Sequence, residues 1–268
     1  EKFRAEKPEL LWSGLEFIKG NVTNFRFDSR AGFDFVIHGG NSAEAPANEI
    51  ENKLFRETTI EGTDHLLAEI ERLAEPPRKI LLLSSGAVYR ATKTDHPYSE
   101  SDPTIETDSK ESFSPARAYA EAKFETESRL KKFAARLKIP LALGRIFACA
   151  GPYIPLEGRF ALGQFIRSAR ENGEIQIHSD GTPLRTYLAG DELAEWLLTL
   201  LAGEGSGTEI YNIGSDDAIS ILGVAEAVRE VFAKRGKSVS VSLSNPGLDS
   251  RSARGADYVP NIDKFAEN

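Results

Sequence analysis

Short apolar runs alternate with longer amphipathic stretches through the first half of the chain. Phe33-Asp-Phe-Val-Ile37 ends at His38-Gly39-Gly40, and Lys79-Ile-Leu-Leu-Leu83 runs straight into Ser84-Ser85-Gly86. Apolar runs this short, closed by small residues, predict buried parallel strands followed by tight loops. Residues from about 48 to 73 between them read as a helix, and strand, helix, strand is the βαβ unit. The pattern repeats with a helix over about 116–137, a strand Leu141–Ile146 and a stop at Gly151-Pro152. These elements predict a doubly wound parallel α/β core.

From Tyr153 the texture changes to loops punctuated by Pro and Gly, a helix near 160–171 and a short strand Glu174–His178 closed by Asp180-Gly181. An apolar helix over 191–201 and a strand Glu209–Ile213 return to the core pattern. Ser220 is placed to cap a further helix reaching about Lys234. An alternating strand Ser238–Leu243 and a polar tail follow. The expected organisation is a core of residues 1–150 and 186–218, with a lobe of residues 151–185 and 219–268.

Composition narrows the class. The chain has 268 residues, is 40% hydrophobic and 28% charged, and carries a net charge of −8, which fits a folded globular protein. No stretch gathers Lys and Arg without interleaved acids, so no nucleic-acid partner is expected. Nothing approaches the roughly 18 consecutive apolar residues that cross a bilayer, so no membrane partner is expected. The single Cys149 closes no disulfide within the chain, and a cytoplasmic location is the expectation. No set of His, Cys, Asp and Glu has metal-ligand spacing, and no metal is expected.

Ligands of open α/β sheets bind beyond the carboxyl ends of the strands. Here those ends carry His38-Gly39-Gly40, Ser84-Ser85-Gly86 and Phe147-Ala148-Cys149. Tyr119 and Lys123 stand four apart on the helix that follows Ser84-Ser85, so both point from one face. An ammonium beside a phenol favours the phenolate, which is expected to lower the Tyr119 pKa and make it a general acid/base. A Ser85 hydroxyl at the strand end is placed to bond the same reacting oxygen.

The ordered set Asp34-Phe-Val-Ile-His38-Gly-Gly40, Gly62-Thr63-x-x-Leu66-Leu67, Ser84-Ser-Gly-Ala-Val-Tyr89, Tyr119-x-x-x-Lys123, Arg145 with Gly151-Pro152, and Arg185-Thr-Tyr187 resembles the extended short-chain dehydrogenase/reductase family. These are the nucleotide-sugar epimerases and dehydratases, and the match spans about residues 20–230. The resemblance implies a Rossmann-like doubly wound parallel sheet with a smaller α/β substrate-binding lobe. It implies Tyr119 as acid/base on a sugar hydroxyl, Lys123 on the nicotinamide ribose and Ser85 orienting the sugar oxygen. The implied cofactor is NAD, with NADP the alternative, contacted also by Asn21, Val22, His38, Gly39, Gly40, Ser84 and Ile146. The implied partner is a nucleotide-diphosphate sugar touching Ser85, Gly86, Ala148 and Arg185, with the Arg185 fork suited to the diphosphate. A homodimer is implied as well.

The departures direct the choice of reaction. Dehydratases of the family place an acid directly after the active-site Ser or Thr, where this chain has Gly86 and Ala87. Acids in the loop Asp95 to Glu106 are the candidates to replace it. Epimerisation is therefore expected ahead of dehydration, with reduction of a 4-keto sugar third. A non-catalytic dinucleotide-binding regulator is the alternative of another class, and an enzyme is expected to bring Arg185 and Tyr119 into one closed pocket. The family's Gly-rich strand-turn-helix for the pyrophosphate has no counterpart here, and Gly203-Glu-Gly-Ser-Gly207 follows a helix rather than opening one. The expectation is that this segment precedes Glu1. The chain also has no Met, and the register from Arg185 to Asp191 is one residue short of the family's, as a missing methionine would leave it.

Overall fold

The computed structural model describes residues 16, 18–28, 32–40, 49–90, 96–105, 114–157, 160–244 and 257–267. Its central sheet has four parallel strands, β1 (Phe35–His38), β2 (Lys79–Ser85), β3 (Leu141–Ile146) and β8 (Thr208–Ile213), in the order β1-β2-β3-β8. Alternate residues of each strand face opposite sides. Ile80, Leu82, Leu141 and Leu143 pack beneath α1 (Glu49–Glu71) and α2 (Pro115–Leu137), which contribute Leu66, Leu67, Ile70, Leu130 and Phe133. Leu81, Ala142, Tyr211 and Ile213 pack on the other side beneath α4 (Gly190–Ala202). Helices on both faces of a parallel sheet give the expected doubly wound core, and Leu82→Ala in it would cost about 2–5 kcal/mol.

The elements expected of the core fall within one or two residues of their places. β2 runs through Ser84 and Ser85, which pair with Arg145 and Ile146 of β3, so Ser85 stands at the strand end as expected.

The second body is built around β5 (Glu174–Ile177) and β10 (Ser240–Leu243), a parallel pair. Against it lie α3 (Ala161–Asn172) and α5 (Ile221–Lys234), joined through Phe165, Ile175, Ile177, Val224 and Val228. Ser220 caps α5 by accepting from the Gly223 N–H at 3.0 Å, as its position suggested. Between the two bodies run four strands of two residues each. β4 (Cys149–Ala150) pairs with β7 (Leu188–Ala189), and β6 (Leu184–Arg185) with β9 (Ile219–Ser220). The stretch 219–268, expected whole in the lobe, divides: α6 (Asp263–Ala266) returns to the core, where Phe265 stacks on Trp196 at 4.0 Å. Among the described residues no helix is long and apolar enough to cross a membrane.

Candidate active site

The end of β2 and the start of α2 meet at the carboxyl edge of the sheet. Ser85 closes the strand in an extended conformation, and its Oγ accepts the Ala87 N–H at 3.2 Å to begin a tight turn over Gly86–Val88. Ser114 opens α2 by accepting from Arg117 N–H at 3.2 Å, with Pro115 at the first helical position, where its missing N–H costs nothing. Tyr119 follows one turn in, with its phenol facing Ser85. One turn further, Lys123 donates from Nζ to the Leu83 carbonyl at 2.8 Å and stands 5.8 Å from the Tyr119 ring centroid. The three expected catalytic residues are thus brought together.

The electrostatics differ from the expectation. Burial pushes the Tyr119 phenol above its ordinary value, and the facing Ser85 hydroxyl opposes it only in part. The expected lowering by Lys123 is overturned because desolvation of the phenolate outweighs it, while the ammonium is itself directed at Leu83. Burial pushes Lys123 down to about 8, against the opposing attraction of Glu127.

On the cofactor side, His38 ends β1 in a buried position. Its Nε2 lies 3.1 Å from Thr63 Oγ1, which donates to the Thr59 carbonyl at 2.8 Å. The threonine hydroxyl can then only accept from the histidine, which places a proton on Nε2. Burial, with Lys123 nearby, draws the His38 pKa down to about 4. A Cβ on Gly39 would meet Leu83 Cδ1 at 2.9 Å, and one on Gly62 would meet Val22 at 2.7 Å. Val22 thereby comes against the Gly40 backbone, where a Cβ would find it at 3.2 Å. Asn21 bends its own segment, its Oδ1 accepting from Thr23 N–H at 3.1 Å and from Thr23 Oγ1 at 3.2 Å. Ile146 lies in register with Ser85 at the strand ends. Ser84 turns its hydroxyl into the core, donating to Glu127 Oε1 at 2.6 Å, so a cofactor contact there falls to its backbone.

On the substrate side, a Cβ on Gly86 would lie 2.7 Å from the Phe147 ring and 2.7 Å from the Tyr258 hydroxyl. Ala148 accepts the Leu188 N–H on its carbonyl at 3.1 Å, which ties the end of β3 to β7. Arg185 sits on β6, donates from Nη1 to Leu184 O at 2.6 Å, and is faced by Tyr187, Tyr258, Asp257 and Tyr98. Burial draws its pKa down, and those groups oppose the shift.

Tyr258 was not among the residues read from the sequence. Its backbone bridges to Arg185, its N–H donates to Leu184 O at 3.0 Å, and its phenol faces Ser85. It stacks at 4.4 Å on Phe147, and burial pushes its phenol far above the ordinary tyrosine value. The only signal in the sequence is an aromatic residue standing in a polar tail. Tyr258 joins Arg185 to Ser85 and Tyr119, so the place where a closed pocket was expected is filled by a side chain. A cavity of about 420 Å³ lies elsewhere, in the lobe, lined by Gln164, Arg167, Glu174, Gln176 and His178.

Parallel strands with helices on both faces, and polar side chains gathered beyond their carboxyl ends, define a Rossmann-type α/β protein. Residues 2–214 match the NAD dependent epimerase/dehydratase family, and the chain belongs to it, in keeping with the resemblance carried by the motifs. It is 25% identical over 221 residues to the bovine dTDP-D-glucose 4,6-dehydratase, covering 81% of this chain and 58% of that protein. It is 29% identical over 116 residues to the dTDP-L-rhamnose 4-epimerase of Burkholderia thailandensis, covering 42% of this chain and 32% of that protein. The chain thus spans little more than half the length of the first relative and a third of the second. Among solved structures, the Thermus thermophilus UDP-glucose 4-epimerase complex with NAD superposes with a TM-score of 0.73 at 20% identity, covering 97% of this chain and 81% of that one. The Thermotoga maritima UDP-glucose 4-epimerase with UDP-glucose gives 0.70 at 19% identity, covering 87% and 70%.

Proposed function

We propose that the protein oxidises C4 of a nucleotide-diphosphate sugar transiently and returns the hydride, with epimerisation as the net reaction. The observation that carries this reading is the convergence of Tyr119, Lys123 and Ser85 at the end of β2, with Gly86 and Ala87 rather than an acid directly after Ser85. Position 86 has no room for one, since Phe147 and Tyr258 already crowd the glycine. The loop acids are engaged elsewhere: Glu100 accepts the Asn212 N–H at 2.8 Å and Asp102 the Ser99 N–H at 2.9 Å. Asp95 and Glu106 lie outside the described residues. Dehydration needs a second proton carrier, and among the described residues neither loop acid is placed to be one.

The residues fit a dinucleotide. The Gly39–Gly40 backbone passes its neighbours too closely for side chains, and Lys123 offers an ammonium at the carboxyl edge of the sheet. His38, Gly39, Gly40, Val22 and Lys123 are the groups that would hold NAD, which when bound supplies the hydride acceptor. Tyr119 takes the proton of the C4 hydroxyl and later gives it back. Lys123, as the ammonium, stabilises the phenolate that takes this proton. Ser85 holds the C4 oxygen, releasing Tyr258, and the Arg185 guanidinium pairs with the diphosphate through its fork. These roles are those the family resemblance assigns, and the placement of Ser85, Tyr119 and Lys123 together at the end of β2 supports them.

The test is incubation of the full-length protein with UDP-, dTDP-, CDP- and GDP-sugars and NAD, following product by mass and proton NMR. A product of unchanged mass is expected. Loss of one water would assign a dehydratase instead, and binding of the dinucleotide without any Tyr119-dependent turnover would assign a regulator.

A further inference from the structure

We propose that Glu127 is a positioning residue for the Tyr119–Lys123 pair, fixing both against the end of β2 through a buried polar ladder. The ladder is visible in the contacts. Tyr119, Lys123 and Glu127 occupy three successive turns on one face of α2. Tyr119 faces Ser85, Lys123 donates to Leu83 O at 2.8 Å, and Ser84 donates to Glu127 Oε1 at 2.6 Å. Three consecutive residues of one strand thus take three consecutive turns of one helix, which sets the axial register of α2 on the sheet.

Glu127 is itself clamped. Its side chain is fully buried, and its carboxylate accepts from Arg145 Nε at 3.1 Å and Nη2 at 2.9 Å, and from Lys131 Nζ at 3.2 Å. Arg145 is the β3 partner of Ser84 in the sheet register, and its guanidinium lies 4.8 Å over the Tyr89 ring. Two fully buried charges carry a desolvation penalty that a pair of apolar side chains would not. Core packing alone gives no reason for a carboxylate here, whereas a buried anion one turn from Lys123 does something an apolar residue cannot. Lys123 faces His38 from β1, which burial keeps neutral, and Tyr119 and Glu127 from its own helix. Glu127 is the anion among them, and it opposes the burial that pushes Lys123 toward its neutral form.

The catalytic meaning rests on the hydride-transfer reading, but the placement of the charge can be measured without it. Full-length protein labelled with 15N-lysine reports the Lys123 Nζ resonance, assigned with Lys123→Arg, and its titration is followed in the wild type and in Glu127→Leu/Arg145→Met. The double variant removes both charges and leaves neither buried alone. The Lys123 midpoint is expected near 8 in the wild type and lower by about one pH unit in the variant. The alkaline limb of the kcat profile is expected to move the same way, with KM for the sugar nearly unchanged. A folded double variant with an unmoved Lys123 midpoint overturns the proposal. Should that variant not fold, Ser84→Ala removes one rung alone, and an unmoved pH limb and kcat there overturn it equally. If the wild type turns over no nucleotide sugar, the hydride reading fails while the Nζ titration still decides the role of Glu127.

Discussion

The carboxyl end of the core sheet and the face of the lobe that meets it are held by different means. On the core side, Ser85 closes a seven-residue strand paired along its length, and each reacting side chain has a buried polar partner. On the lobe side, Arg185 sits in a strand of two residues paired with another of two, and the Tyr258 backbone pairs beside it through one bridge. Breaking the few hydrogen bonds of β6, β9 and the Tyr258 bridge is a local event, whereas moving Ser85 means unzipping β2 from β3. Proton and hydride transfer need groups fixed within fractions of an ångström, and admitting a large anionic substrate needs a surface that yields. Under the proposed function, the molecule divides the two requirements between its two bodies.

The largest effect expected on the core side comes from Tyr119→Phe. It removes the proton carrier and leaves Ser85 its contacts with Tyr258 and Ala87, so turnover should fall about 10²–10⁴-fold with little change in stability. Product formation followed by proton NMR beside urea denaturation checks both halves. A variant within a few-fold of wild-type turnover would end the assignment of Tyr119 as acid/base.

The next effect tests the rigidity of that same end through pH. His38 is held neutral with a pKa of about 4 against an ordinary 6.5. A depressed folded-state value means that the contribution is complete above 6.5 and is lost as pH falls through about 4. The loss amounts to about 3 kcal/mol, to be read from denaturation midpoints across that window. Glu69, held down to about 2 by Phe27 N–H, Arg26 and Arg72, titrates mostly below it. His38→Asn, which keeps a donor toward Thr63, should flatten the profile between the two values, and a profile as steep as wild type would show that the imidazole is not the group responsible.

How much of this was legible follows from what leaves a period in the sequence. Strands such as Leu141–Ile146 and the helices beside them have apolar runs or faces long enough to count, and their places were read closely. The strands of β4, β6, β7 and β9 have two residues each, too few for any alternation, and they exist only because the bodies they join bring them together. Tyr119 and Lys123 were visible from helical spacing and Ser85 from its strand end, but the direction of the Tyr119 shift depends on burial, which spacing does not encode. Ser84 illustrates the same limit. A hydroxyl at a strand end points to whatever the next helix supplies, and that helix supplies Glu127. Tyr258 reaches the site through a bridge to Arg185, a contact between residues far apart in the chain.

A smaller effect is expected where the two bodies touch. Gly86→Ala would place its Cβ against Phe147 and the Tyr258 hydroxyl at 2.7 Å. The aromatic ring, packed on Tyr98, Tyr89 and Tyr258, has little freedom to withdraw, so destabilisation of about 2 kcal/mol is expected. If unfolding midpoints stay unchanged, Tyr258 moves away freely and the contact between core and lobe is looser than the packing indicates.

The smallest effect is the one that separates the two sides most cleanly. Arg185→Lys keeps a positive charge on β6 but loses the planar fork that suits phosphate oxygens. Lys keeps the charge that Tyr187, Tyr258, Asp257 and Tyr98 face, so stability should change by about 1 kcal/mol or less. The substrate contact is another matter: losing one arm of a bidentate pair should raise KM about tenfold, or roughly 1.4 kcal/mol, with kcat nearly constant. That pattern is the reverse of Tyr119→Phe, where kcat falls and binding survives. Initial rates over a range of nucleotide-sugar concentrations distinguish them, and a fall in kcat without a rise in KM for Arg185→Lys would place this arginine with the reacting groups instead of with the lobe's grip on the diphosphate.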